Sequence, residues 1–132
     1  HKIMRLMDKG TVLLSRQELP PGNSLALEAL SAAERSYAPY SESFAGVALE
    51  LEEGLVVTGR YAENAAFNPS MSPLASAIAL TVLGGHENRK VLRGVLVETK
   101  GTLVSHRNAC EKLFASWAPN SELECFSVSK RE

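Results

Sequence analysis

Cysteine is scarce in this chain: Cys110 and Cys125 are its two. One pair makes no disulfide framework, and no second pair exists for a four-thiolate zinc site. Charge of one sign is not in excess, since 14 basic residues face 15 acidic ones for a formal net charge of −1. That balance argues against a dedicated binder of nucleic acid or of an anionic membrane surface. The longest apolar stretch lies within Leu74 to Leu83, far short of the roughly 20 residues a membrane span needs. The basic start, His1 to Met7, lacks the apolar core and small-residue cleavage site of a signal peptide. Phosphate loop, dinucleotide fingerprint and nucleophile elbow are all missing, as are internal repeats and low-complexity segments.

What is present is the material of one ordinary globular domain. The chain has 132 residues, 45% apolar and 22% charged, and a domain of that length buries about 68–70% of the surface its unfolded chain exposes. It opens on His1 rather than Met, which is the expectation for a piece of a longer protein. Residues 1–23 read as a linker or the tail of an upstream domain, ending in the breaker cluster Leu19-Pro20-Pro21-Gly22-Asn23.

Helical and strand periods alternate from there on. Ser24 is placed to cap a helix running to about Tyr37, with Leu27 or Glu28 at capping-box distance and Leu25, Ala29, Ala32 and Ala33 on one stripe. Residues Ala45 to Glu52 alternate as a half-buried strand, Glu53-Gly54 turns, and Leu55 to Gly59 returns as the second strand of a hairpin. A second helix starts sharply at Ser72-Pro73 and ends at Gly84-Gly85. It is apolar nearly all round, which predicts a central helix covered on several sides. A strand over Val91 to Glu98, a helix over Asn108 to Trp117 and a last strand over Leu123 to Val128 complete the order. Strand–helix–strand crossovers after a hairpin predict an α/β fold: a three-layer α/β/α sandwich on a mixed sheet.

Few side chains stand out for chemistry. His86 sits at a helix end, where a solvated loop residue is expected, and Phe114 and Trp117 read as core. His106 and Cys110 are four apart, a spacing that can place two ligands on one helix face, but a metal needs three or four.

One series of segments is more specific. Glu34-Arg35-Ser36-Tyr37-Ala38-Pro39-Tyr40-Ser41, then Gly46-Val47-Ala48-Leu49, then Gly59-Arg60-Tyr61-Ala62-Glu63-Asn64-Ala65-Ala66-Phe67 resembles the cytidine deaminase family in order and spacing, over roughly Ser24 to Val128. The resemblance implies the sandwich above, with a zinc site at the start of two helices. Zinc deaminases hold Zn²⁺ by a His/Cys/Cys or Cys-only triad with a Glu as general acid/base, in the signature H-x-E or C-x-E followed by P-C-x-x-C. Here the first part falls on Ser72-Pro73-Leu74 and the second on His106-Arg107-Asn108-Ala109-Cys110. Ser72, Arg107 and Cys110 occupy the ligand positions and only Cys110 matches, while Leu74 stands in the position of the catalytic Glu. The expectation is no catalytic residue and no metal site in this domain.

The nucleoside-binding positions are altered too. The family's ribose-binding Asn falls on Tyr61 and its stacking Phe on Ser43, while the accompanying acid is kept as Glu63. Glu63 reads either as a vestigial ribose ligand or as part of a structural hydrogen-bond network beside Asn64. The chain resembles the zinc-less, non-catalytic C-terminal domain of the long, two-domain homodimeric cytidine deaminases, residues 24–132 being the degenerate domain. That implies an upstream catalytic domain carrying zinc, a homodimer, a cytoplasmic location, and a role in assembly and in closing the partner's site over its nucleoside. It also implies that Ala66 and Phe67 reach that site in trans, against the alternative that Phe67 is interface core. The rival readings are a nucleoside- or nucleotide-binding regulatory module around Tyr61, Glu63 and Arg107, and an active zinc hydrolase using His106 and Cys110, which lacks a Glu for proton transfer.

Overall fold

The computed structural model describes residues 12–39, 41–63, 71–102 and 105–131. Helix α1 (Ser24–Glu34) precedes the hairpin β1 (Ala45–Leu51) and β2 (Val56–Arg60). Helix α2 (Pro73–Leu83), β3 (Val91–Thr99), α3 (Arg107–Trp117) and β4 (Leu123–Val128) follow. The strands form one sheet in the order β2-β1-β3-β4. β1 is antiparallel to both neighbours, and β3 runs parallel to β4 across the α3 crossover.

Two apolar clusters fill the space on either side of this sheet. On one side α1 supplies Leu25, Ala26, Ala29, Leu30 and Ala33 against Ala48, Val95, Val97 and Val128. On the other, Leu74 and Ala77 of α2 and Cys110 and Phe114 of α3 meet Val47, Leu49, Leu51 and Leu96. Successive strand residues point to opposite faces, so Val95, Leu96 and Val97 serve the two clusters in turn. This is the predicted three-layer sandwich.

The boundaries follow local chemistry. The cap of α1 is Asn23, one residue before the expected Ser24: its Oδ1 accepts from the Ala26 N–H at 3.0 Å. The helix stops at Glu34, short of Tyr37. Ser36 donates its hydroxyl to the Ala33 carbonyl at 2.7 Å and accepts from the Ala45 N–H at 3.2 Å, which turns the chain into β1. The Tyr37 N–H is taken by the Tyr61 carbonyl at 2.9 Å. For α2 the predicted start holds, with Ser72 Oγ accepting from the Ala75 N–H at 3.0 Å and Pro73 opening the helix.

Two further expectations change. β1 is buried on both faces rather than half-buried. Its alternation is one of size, because α1 lies so close that a Cβ on Gly46 would stand 2.3 Å from the Ala33 nitrogen. Helix α2, by contrast, is not covered on several sides. It buries Pro73, Leu74, Ala77 and Thr81 along one stripe, while Leu80, Val82 and Leu83 are 51%, 50% and 82% exposed.

Residues ahead of α1 are packed from residue 12 onward. Leu14 and Leu19 are buried in the α1-side cluster. The Ser15 N–H donates to the Ser129 carbonyl at 2.9 Å and the Arg131 N–H to the Leu13 carbonyl at 2.8 Å, an antiparallel strap with Leu14 opposite Lys130.

Candidate functional site

The N-terminal turns of α2 and α3 meet on the same side of the sheet, where Leu74 and Cys110 share the buried cluster. Each signature position has a defined role there. The Ser72 hydroxyl oxygen is engaged as the α2 cap. Leu74 is fully buried, and a side chain of carbon and hydrogen moves no proton. Arg107 extends along the exposed side of α3, its Nε donating to Glu111 Oε2 at 3.2 Å; that hydrogen bond raises the pKa of its already basic guanidinium. Cys110 is buried, and burial pushes its thiol up to about 11 although the Leu74 N–H faces the sulfur and favours the thiolate.

These residues do not fit zinc. The metal needs deprotonated, convergent donors, three of them from the protein even at an open site. What converges here is one thiol held in its protonated form beside a leucine, with a cation one turn away. Among the described residues no group of three or more His, Cys, Asp or Glu side chains lies close enough to hold a metal ion.

Polar side chains gather instead beside the start of α3. Glu98, at the end of β3, is buried and accepts from the His106 N–H at 2.8 Å and the Ser105 hydroxyl at 3.3 Å, placing a carboxylate at the positive end of α3. His106 Nε2 lies 2.9 Å from the Ser43 carbonyl. A carbonyl oxygen only accepts, so Nε2 carries the hydrogen. The Tyr61 ring packs on His106 with centroids 4.2 Å apart and planes tilted by 54°. Its hydroxyl donates to Glu63 Oε2 at 3.1 Å, and that oxygen also accepts from the Ser41 hydroxyl. The Ser41 N–H donates to Glu63 Oε1 at 3.3 Å, and the Ser43 N–H to Ser41 Oγ at 3.1 Å.

The structure therefore brings Tyr61, Glu63 and Ser43 together with His106 and Glu98, and sends Arg107 away from them. Glu63 holds the 41–43 loop and the Tyr61 hydroxyl in place. Ala66, Phe67 and Asn64 lie outside the described residues. Sequence reasoning missed the Glu98 cap and the Tyr61–His106 pair. A signal existed for the first: Glu98 ends the apolar run Val95-Leu96-Val97, where a charged residue needs a partner.

Open clefts lie elsewhere. One of about 420 Å³ is lined by Arg89, Lys90, Trp117 and Asn120 among others. Another of about 370 Å³ runs between α1 and α2 over β2.

A mixed four-stranded sheet between one helix and two, with the N-termini of α2 and α3 side by side, defines the class: an α/β/α sandwich built as zinc deaminases are built. Solved structures agree. Cytidine deaminase from Mycobacterium tuberculosis superposes with a TM-score of 0.64 at 22% identity, covering 85% of this chain and 91% of that one. The Mycobacterium leprae enzyme gives a TM-score of 0.62 at 25% identity over 85% and 94%. The family profile for the cytidine and deoxycytidylate deaminase zinc-binding region matches residues 2–111. The chain belongs to the cytidine deaminase family. A cytidine deaminase of Serratia proteamaculans is 41% identical over 128 residues, 97% of this chain and 40% of that protein. One of Photorhabdus laumondii is 46% identical over 99 residues, 75% of this chain and 34% of that protein. The matched part thus spans well under half the length of these relatives.

Proposed function

We propose that this chain is a non-catalytic domain of a longer, cytoplasmic cytidine deaminase, standing C-terminal to a catalytic domain of the same fold. The reaction of the whole protein is the zinc-dependent hydrolytic deamination of cytidine or deoxycytidine to uridine or deoxyuridine, with zinc held by the upstream domain. This domain supports a homodimer and helps close the partner's site over its nucleoside, with Ala66 and Phe67 directed to that site. An aromatic wall there excludes water and fixes the substrate's pose.

One observation carries the reading. The buried position that proton transfer requires is filled by Leu74, against a Cys110 thiol held protonated by burial. The chain keeps the deaminase scaffold and its converging helix ends, and fills the reaction centre with core. The same holds for the nucleoside side of the site, where Tyr61 and Ser41 engage the Glu63 oxygens from within the chain.

Metal analysis and a cytidine deaminase assay on the purified chain test this. We expect far less than one zinc per chain and no turnover above background; stoichiometric zinc overturns the reading. Titration with cytidine, uridine and their phosphates separates it from a regulatory nucleoside-binding module, which requires saturable binding.

A further inference from the structure

The cleft of about 420 Å³ lies where β3 begins and α3 ends, with Arg89 and Lys90 on one wall and Trp117 and Asn120 on the other. Its volume falls in the range of small-molecule sites, roughly 300–1,000 Å³. Helix α3 has 11 residues, so its two ends stand about 16 Å apart. The cleft is therefore remote from His106 and Cys110, which sit at the other end of that helix.

Three parts of the lining suit three parts of one ligand. Trp117 is half-buried and stands edge-on to the buried Phe114, with ring centroids 6.4 Å apart and planes at 72°. An indole fixed in this way offers a flat apolar wall. Arg89 is anchored through Nε on His86 Nδ1 at 3.2 Å, and through Nη1 on Glu53 Oε1 at 3.0 Å and the Glu52 carbonyl at 3.3 Å. Its Nη2 enters none of these bonds. Beside it Lys90 is exposed, and its ammonium has no ion pair among the described residues. Asn120 follows Pro119 on a turn closed by the Ser121 N–H on the Ala118 carbonyl at 3.1 Å. The Ser121 hydroxyl ties that turn to the Val91 carbonyl, while the Asn120 amide has no hydrogen bond among the described residues. Glu87 also lines the cleft, leaving two cations against one carboxylate.

We propose that this cleft binds an adenine nucleotide, with the base on Trp117 and the phosphate at Lys90 and Arg89. Bases stack on aromatic side chains through their π-faces. A side-chain amide such as that of Asn120 pairs with the N6 and N7 edge of adenine. The end of α3 carries partial negative charge, which favours the amine edge of a base there and sets the phosphate on the opposite wall. On that wall an ammonium and an anchored guanidinium supply charge-assisted hydrogen bonds to phosphate oxygens. Bound there, the nucleotide is a regulatory ligand, remote from the helix starts. The inference goes beyond the assembly role and does not depend on it.

Trp117 is the chain's sole tryptophan, so its fluorescence reads the cleft directly, and calorimetry reads binding without it. AMP titrated into the 132-residue chain is expected to quench that fluorescence saturably. Adenosine and inorganic phosphate, each carrying half of the contacts, should bind about tenfold more weakly or worse. CMP, with a single ring and no N6/N7 edge, should also bind about tenfold more weakly, which keeps this test apart from the pyrimidine titration above. Lys90→Ala and Asn120→Ala, both at exposed positions, should each weaken AMP about tenfold. Circular dichroism melts confirm that both variants are folded. Absence of saturable AMP binding overturns the inference, as does inorganic phosphate binding as tightly as AMP. An AMP affinity unmoved by Lys90→Ala and Asn120→Ala overturns it too. AMP binding lost in Glu63→Gln but kept in those two variants assigns the ligand to the Tyr61–Glu63 end and likewise overturns it. None of these outcomes moves the zinc content or turnover on which the proposed function stands.

Discussion

Cys110 shows at a single residue what burial does to a thiol. A zinc-ligating cysteine must be a thiolate, whereas burial here pushes Cys110 up to about 11 and Cys125, half-buried near Glu111, to about 11 as well. At pH 8 a thiol of that pKa is ionised to about one part in a thousand, so alkylation of the folded chain should be slow and accelerate on unfolding, readable by mass spectrometry in a urea series. Stability has the matching pH dependence. The folded pKa is raised, so the unfolded chain releases these protons first as pH climbs, and stability should fall between about pH 9 and 11. Melts of the native chain against Cys110→Ala with Cys125→Ala measure it: the double variant has the flatter profile. Glu98→Ala leaves the His106 N–H and Ser105 hydroxyl without their acceptor at the buried start of α3, and should cost about 1–3 kcal/mol in urea unfolding. Glu98→Gln keeps an acceptor and should cost less.

Among the elements, glycine sets the spacing between sheet and helices. A Cβ on Gly46 would lie 2.3 Å from the Ala33 nitrogen, and one on Gly59 would lie 2.2 Å from the Pro73 carbonyl oxygen, both against backbone that cannot rotate away. Gly46→Ala and Gly59→Ala should each destabilise by about 3 kcal/mol, seen as a lower denaturant midpoint. Gly59→Ala also displaces the start of α2. The strands and helices were legible because each has a clear period and punctuation: β4 falls on residues 123–128 and α2 begins at Pro73 as read. What misled was composition taken for environment. Alternating small and large residues in β1 resembled a half-exposed strand, and the apolar ring of α2 resembled a buried helix. The first reflects a helix pressed onto Gly46 and Ala48; the second is a helix whose Leu80, Val82 and Leu83 stand exposed. At the candidate site, Ser72, Leu74 and Arg107 were singled out from the sequence, and the structure places them at the starts of α2 and α3. The contacts joining Tyr61 to His106 and Glu63 to Ser41 were not, because they cross between a loop, a strand end and a helix start far apart in sequence.

For the whole molecule, the proposed absence of a zinc site gives a test of fold. If the helix starts still converge as in a zinc deaminase, Ser72→Cys with Arg107→Cys adds two thiols to Cys110 and supplies three donors. The double variant should bind about one zinc per chain and show a melting temperature that rises on zinc addition and falls on chelation, by metal analysis and calorimetry. It should still not deaminate, since Leu74 remains. A variant that binds none would mean the helix ends have drifted apart.

The strap that joins residues 13–15 to residues 129–131 has a mechanical consequence. Because the two segments run antiparallel with residue 13 beside residue 131, a pull between them loads their hydrogen bonds one after another, as in opening a zip, rather than all together in shear. Tension applied there would peel the strap from its open end before it reached the sheet, uncovering Leu14 first and leaving the sandwich behind it intact.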